Sequence, residues 1–445
     1  MKNTFKVLGI IALIVIIGFL MTACDDFSKD KDNTKEEAGG NYESGFTDIE
    51  AFEKWLSTQS SNTPDTAYNV KLKVESFIYG WDWKSIGTIL KENPNKYVSL
   101  DLSGSTGMMG IGLFHGCTNL TGIIYPDNAD NIQGGTFEGC TNLASVTISK
   151  SVTVIYGDDT FKGCAKLTSI NIPDNVTVIK GGTFSDCTGL TSVTIGNGIT
   201  DLGTERGFLS KGAFQDCTNL TSVTIIGKEG VTNIGNIAFS HCTKLTSVTI
   251  QNGASIGNGA FEDCTGLTNV TIGNGITDIG RGAFNNCAGL KNLNMGNSVT
   301  GIGTEAFKGC IGLTGIIIPN SVTSIGGGAF SDCTGLANVT IGNSVSIIEG
   351  GDRLDIKGAF GGCTSLTSII IPSNVTVLGE YAFYGCTSLT SVTFQGTISS
   401  GNFGSDLGLW RNPPFDGDLH DKYLAAEGGI GTYTREANSD TWTKQ

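Results

Sequence analysis

The chain has 445 residues, of which 64 are glycine and 8 proline, and only 16% are charged. So much glycine with so little charge is unlike a set of compact globular domains, and internal repetition becomes the first organisation to test. A formal net charge of −14 with no basic stripe excludes a phosphate-backbone partner, so no nucleic acid is expected.

Lys2 and Lys6 precede an apolar run from Val7 to Leu20, followed by Met21-Thr22-Ala23-Cys24. The run falls short of the roughly 20 residues a membrane span needs, and its flanks are those of an export signal. Leu-Met-Thr-Ala-Cys resembles the lipobox of bacterial lipoproteins, with Met21 where Leu is usual. The resemblance implies a signal peptide over 1–23, a diacylglyceryl group on Cys24, and a chain exported and anchored to a bacterial membrane. An uncleaved anchor is the alternative, and it too leaves the remainder outside the cytoplasm. Residues 24–45 are dense in both charge signs and almost without aliphatics, the composition of a solvated tether.

Residues 46–109 form an α/β segment. Thr47-Asp48-Ile49-Glu50 has the form of a capping box, with Ile49, Phe52 and Leu56 following at helical spacing beside Trp55. A strand is predicted over 70–74, a short helix over 85–91 and a second strand over 97–102. Either this segment caps the chain after residue 109 or it is a separate binding domain.

Twelve cysteines come next, at 117, 140, 164, 187, 217, 242, 264, 287, 310, 333, 363 and 386, spaced 22 to 30 residues apart. Each has Phe three residues before it and Leu three after it, then Val, Ile or Leu six after it. Leu-x-x-Val-x-Ile ends with period two, so a short strand turns Val and Ile inward and Ser, Asn or Thr outward. A second apolar pair, as in Val322 and Ile325, precedes a glycine-rich turn into the next Ala-Phe. One such unit buries too little to be stable. Stacked units lay each apolar row on its neighbour, and their strands are predicted to form a continuous parallel sheet at about 4.8 Å per step.

The repeat Ala-Phe-x-x-Cys-Thr-x-Leu-Thr-Ser-Val-Thr-Ile over residues 110–395 resembles the BspA-like class of bacterial leucine-rich repeats. The resemblance implies a right-handed, β-rich repeat solenoid of twelve copies with stacked parallel strands and short helical or turn segments, capped at both ends. Proteins of that family are cell-surface antigens and adhesins that bind host matrix proteins, host cells or other bacteria. A similar adhesin-like role at the cell surface is implied here, with a protein or cell-surface glycan as partner. After Phe394 the repeat stops, and residues 396–445 contain a predicted helix over 419–426 and an edge strand from Gly431. The stretch from Asp421 to Arg435 resembles tails that close other proteins of this repeat type, so a C-terminal cap is expected.

The cysteines lack the close pairing of metal sites, which leaves stacked disulfides or buried thiols as their two readings. The residue before each cysteine forms another row, in which Asp186, Asp216, His241 and Asp263 succeed one another. Such a row can bind a cation or serve as an acid–base pair, or it can simply hold the residue types that turns prefer. Two coils are 30 residues long and swell at the same phase. Their loops place Arg206, Phe208, Arg353 and Leu354 as candidate partner contacts, with tolerated loop length as the alternative. The outward Ser-x-Thr ladder could also dock a protein or glycan; Ile124, Asn171, Ile317 and Ile370 interrupt it, which argues against ordering water. No catalytic motif and no cofactor pattern is present, His115, His241 and His420 being scattered. No enzyme activity is expected. The alternatives to surface binding are a structural envelope protein without a host partner and, more distantly, a cation-dependent hydrolase using the acidic row. Nothing in the sequence sets the oligomeric state.

Overall fold

A computed structural model gives the fold, and it describes residues 44–74, 85–106, 109–156, 159–196, 198–203, 211–225, 233–250, 253, 255–351, 357–404, 413–437 and 439–445. The export segment, Cys24 and most of the tether lie outside the described residues.

The first elements are strand β1 (Ser44–Phe46), helix α1 (Ile49–Thr58), strand β2 (Tyr68–Leu72), helix α2 (Ile86–Glu92) and strand β3 (Val98–Asp101). The cap of α1 is Asp48, not the Thr47 of a four-residue box: its carboxylate accepts from the Ala51 N–H at 2.7 Å, which also places negative charge at the positive helix end. Phe52 and Leu56 are buried as the spacing predicts. Ser85 caps α2 by accepting from the Thr88 N–H at 3.2 Å. β2 begins two residues earlier than predicted because it is paired with its neighbour, Tyr68 lying opposite Val98 and Val70 opposite Leu100.

β1, β2 and β3 run parallel in that order, and β3 pairs with Leu120–Ile124 of the first coil. This segment therefore continues the solenoid's own sheet and covers its first apolar cross-section. Buried Asn119 fastens the junction, its amide nitrogen donating to the carbonyls of Leu90, Asn93 and Lys96 at 2.9–3.0 Å. Those carbonyls belong to the last turn of α2 and the loop after it, where helical partners run out.

Each coil consists of a turn from Phe to Cys, a long strand, a second turn and a two-residue short strand, as in Asn269–Ile272 and Asp278–Ile279. The twelve phenylalanine rings from Phe114 to Phe383 stack face to face, their centroids 4.9–5.5 Å apart and their planes within 10°. Offset stacking of this kind is worth about 0.5–1.5 kcal/mol per pair beyond the area buried. Among the described residues no helix lies between 110 and 395, so the short helical segments expected there are turns.

Eleven short strands, from Asn131–Ile132 to Val377–Leu378, form one unbroken parallel sheet. The long strands, expected to be the continuous ladder, are instead interrupted three times: after Ser145–Thr147, after Asn292–Asn294 and after Asn338–Thr340. Each interruption comes at a coil that lacks the usual Thr four residues after Cys, the position being Ala144, Lys291 or Ala337. Where that Thr stands in successive coils it adds a bond between them. The hydroxyls of Thr191, Thr221, Thr246, Thr268 and Thr390 donate to the carbonyl of the equivalent residue one coil earlier at 2.9–3.4 Å. Alanine and lysine lack this hydroxyl, but it would have bonded the preceding coil, with which each of these strands stays paired; the strand after each is only three residues long, and the break lies on its far side. Val146, Leu293 and Val339, the inward residues of those strands, are only partly buried.

The residue before each cysteine is left-handed in all twelve coils, with φ between 57° and 78°. That conformation is what restricts the row to Gly, Asp, Asn and a single His. Two residues before Phe the backbone is left-handed again in ten coils, and there Ile237 stands at φ 48°. A β-branched side chain is strained in this region. Replacing Ile237 by Gly, the residue found at six equivalent positions, is expected to stabilise the protein by about 1 kcal/mol. A rise in thermal midpoint by calorimetry checks this; a fall would show that Ile237 holds its place through packing.

At the far end Pro413, Pro414, Phe415 and Asp416 act as a thirteenth turn. The Phe383 N–H donates to the Pro414 carbonyl at 2.7 Å, and the Phe415 ring stacks on Phe383 at 4.9 Å and 2°. The Asp416 carboxylate accepts from the Gly385 N–H at 3.0 Å, where earlier coils offer a backbone carbonyl. Helix α3 (Leu419–Leu424) comes after it, two residues shorter than predicted. Gly431–Thr434 then runs antiparallel to Ser391–Phe394, and Thr443–Lys444 antiparallel to it. Arg435 donates to the carbonyls of Leu389, Cys386 and Ser439 and lies 4.8 Å from the Trp442 ring centroid. Parallel stacking ends here, with the last coil's open carbonyls satisfied.

Candidate functional site

The twelve repeat cysteines are buried and free. Each thiol from Cys140 to Cys386 lies 3.1–3.3 Å from the carbonyl of the Phe one coil earlier and donates to it, and Cys117 donates likewise to Gly87 at 3.4 Å. A small apolar side chain with one weak donor suits a buried turn that leaves a carbonyl facing the core. Burial pushes Cys117 up to about 11 and Cys187, Cys264, Cys333 and Cys386 up to about 12. Thiols held protonated in this way are poor nucleophiles and poor metal ligands.

The row before the cysteines divides. His241 sits between two carboxylates, Nδ1 3.1 Å from Asp216 Oδ1 and Nε2 3.2 Å from Asp263 Oδ2. Asp186 instead pairs with Lys211 at 2.7 Å. The carboxylates face opposite edges of the imidazole ring and do not converge on a common point. Among the described residues no group of three or more His, Cys, Asp and Glu side chains is placed to hold a metal ion.

The loop candidates Arg206, Phe208, Arg353 and Leu354 lie outside the described residues. Both loops end alike. Lys211 and Lys357, each six residues before a cysteine, reach back one coil to Asp186 and Asp332, at 2.7 and 2.5 Å. Each insertion is thus followed by a lysine paired with the aspartate of the preceding coil, at the same phase.

On the long-strand face Ser145, Thr147, Ser192, Thr194 and Ser247 point to solvent as the alternation predicts. Ile317 is 74% exposed and Ile370 53%, high for isoleucine. Where the ladder parts between Asn292–Asn294 and Gly315–Ile317, a cleft of about 670 Å³ opens. It is lined by Lys291, Leu293, Met295, Ile316 and Ile317 together with several asparagines. A second hollow of about 600 Å³ shares Asn297, Ile317, Pro319 and Thr340 with it. Sequence reasoning missed this cleft, although the replacement of Thr by Lys291 was visible as an exception in its column.

A family model described as a BspA type leucine rich repeat region of six copies matches residues 85–208, 207–314, 232–354 and 302–404. A leucine-rich repeat protein from Bacteroides ovatus is 26% identical, with 72% of this chain and 87% of that one covered at a TM-score of 0.41. A leucine rich cell surface protein from Faecalibacterium prausnitzii is 24% identical over 83% of this chain and 92% of that one, at a TM-score of 0.35. The leucine rich repeat protein of T. pallidum is 30% identical over 36% of this chain and 72% of that one, at a TM-score of 0.29. No curated protein matches the chain.

Proposed function

Because the chain belongs to the BspA-type leucine-rich-repeat family, we propose that it is a surface-displayed lipoprotein. In this reading it binds host matrix proteins, host cells or other bacteria through the outward residues of its solenoid. One observation carries this reading: every residue fixed along the repeat is committed to the core or to a turn. Phe, Cys and Leu are fully buried in coil after coil, and the row before Cys is held by its left-handed backbone. What varies faces outward or swells into the two long loops, which is how repeat proteins separate scaffold from recognition. Cys24 would supply the lipid and residues 25–45 the tether. Arg206, Phe208, Arg353 and Leu354 would supply contacts, on the two insertions that precede Lys211 and Lys357.

The test compares the whole chain with one in which both 30-residue coils are cut to 23 residues. Binding to immobilised collagen, fibronectin and fibrinogen, and to intact host cells, is measured by surface plasmon resonance and flow cytometry. Trimming is expected to weaken binding at least about tenfold, equivalent to about 1.4 kcal/mol. Unchanged binding after trimming would remove the loop assignment. A protein that binds none of these surfaces, and that resists added protease on intact producing cells, would instead be a structural envelope component.

A further inference from the structure

We propose that the cleft between Asn292–Asn294 and Gly315–Ile317 is a docking site for an extended acidic peptide segment, which adds a strand between the two long-strand edges that part there. The proposal rests on the binding reading above and names for it a place and a class of partner.

The cleft is a one-sided opening and not a general loosening of the stack. On the spine the rings of Phe261, Phe284, Phe307 and Phe330 keep centroid spacings of 5.1–5.3 Å through this region. The short strands Asp278–Ile279, Gly301–Ile302 and Ser324–Ile325 stay paired in register. Only the long strands separate, so two parallel edges face one another across a gap, each still bonded on its far side, Asn292–Asn294 to Asn269–Thr271 and Gly315–Ile317 to Asn338–Thr340. Strand edges of this kind offer main-chain donors and acceptors that an added strand satisfies, and peptide recognition by strand addition uses them. Apolar surface is available at the same place: Leu293 is only partly buried, and Ile317 stands exposed on the rim.

Charge decides which peptide. The protein carries 42 acidic residues against 28 basic ones, yet no Asp or Glu lines the cleft. Its lining holds one charge, Lys291, and the amides of Asn269, Asn292, Asn294, Asn297 and Asn338. Lys291 is exposed and makes no ion pair among the described residues. An extended segment with one carboxylate facing Lys291 and β-branched neighbours over Leu293 and Ile316 complements this lining. A basic segment would meet Lys291 unpaired.

The test uses the full chain and a fluorescein-labelled pool of pentapeptides with Asp at the centre and Val, Ile or Thr on either side. Fluorescence anisotropy is expected to show saturable binding. A pool with Pro in place of the flanking residues keeps the charge but loses the main-chain donors, and should bind at least about tenfold more weakly. Lys291→Glu should weaken binding by a similar factor. A variant that restores the repeat pattern (K291T, N292S, L293V, N294T, M295I) should close the ladder, fold normally by circular dichroism, and abolish binding. Equal binding of the proline pool, full binding by the pattern-restored variant, or no saturable binding at millimolar peptide would each overturn the proposal. None of these arms uses a host partner. Absent matrix binding with saturable peptide binding fails the surface-binding reading alone, and matrix binding without peptide binding fails the cleft alone, so the two failures are distinct.

Discussion

Replacing Phe261 by Ala is expected to destabilise the protein by about 3–5 kcal/mol, the range for removing a buried aromatic ring. The ring is fully buried and stacked on both sides, on Phe239 at 5.2 Å and on Phe284 at 5.1 Å. Deleting it therefore removes two ring contacts as well as burial, and the short-strand sheet limits how far the coils can collapse into the space. Because coils touch only their neighbours, the loss should be local and the unfolding should divide. Urea unfolding followed by circular dichroism is expected to change from one transition to two. Phe261→Leu should recover most of the loss, since it refills much of the volume. A loss below about 1 kcal/mol in Phe261→Ala would show that the ring stack is not what fixes coil spacing.

The rows that carry this stability were legible in the sequence because each demands one residue type in every coil. Phe and Leu stack on copies of themselves, Cys donates from one place to one carbonyl, and the left-handed position before it holds Gly, Asp, Asn or, once, His. Any departure from identity leaves a hole or a strained turn. The unit of the pattern is one coil, so one coil's letters suffice to read it.

What stayed hidden depends on two coils at once or on mimicry. Pairing of long strands is decided between neighbours, and it breaks after the coils of Ala144, Lys291 and Ala337 without disturbing the Phe, Cys and Leu rows beside them. Phe415 completes the ring stack but comes 32 residues after Phe383 and has Asp418 where the cysteine would stand, so no interval marks it. Asp416 replaces a backbone carbonyl with a carboxylate, a substitution of one acceptor for another that no periodicity reveals. Asp48 capped α1 in place of Thr47 for a local reason: both residues can accept, and the chain's entry from β1 decided which one did. Of the candidate site, the row through His241 was legible as a row. Its opposed geometry emerged only when the coils were stacked.

Alkaline pH is expected to unfold the solenoid well before its backbone or its lysines would require it. Burial holds the thiols of Cys187, Cys264, Cys333 and Cys386 at about 12 and Cys117 at about 11, against an ordinary value of 9.0. Above pH 9.0 the unfolded chain releases these protons while the native chain keeps them. The unfolded state then binds fewer protons, so stability falls as pH rises, and each thiol contributes about 1.4 kcal/mol per pH unit. The stabilisation is complete below 9.0 and is lost progressively toward about 12. Three coils that open together would lose about 4 kcal/mol per pH unit, a large part of an ordinary stability. Urea midpoints measured between pH about 8 and about 10.5 should fall steeply. In the triple variant Cys264→Ser, Cys287→Ser and Cys310→Ser each hydroxyl can still donate to the Phe carbonyl but does not ionise in this range. It should start less stable and lose less with pH, its slope lower by about 4 kcal/mol per pH unit if the three coils unfold as one. An identical slope in both proteins would assign the alkaline loss to other groups and leave the thiol column as packing alone.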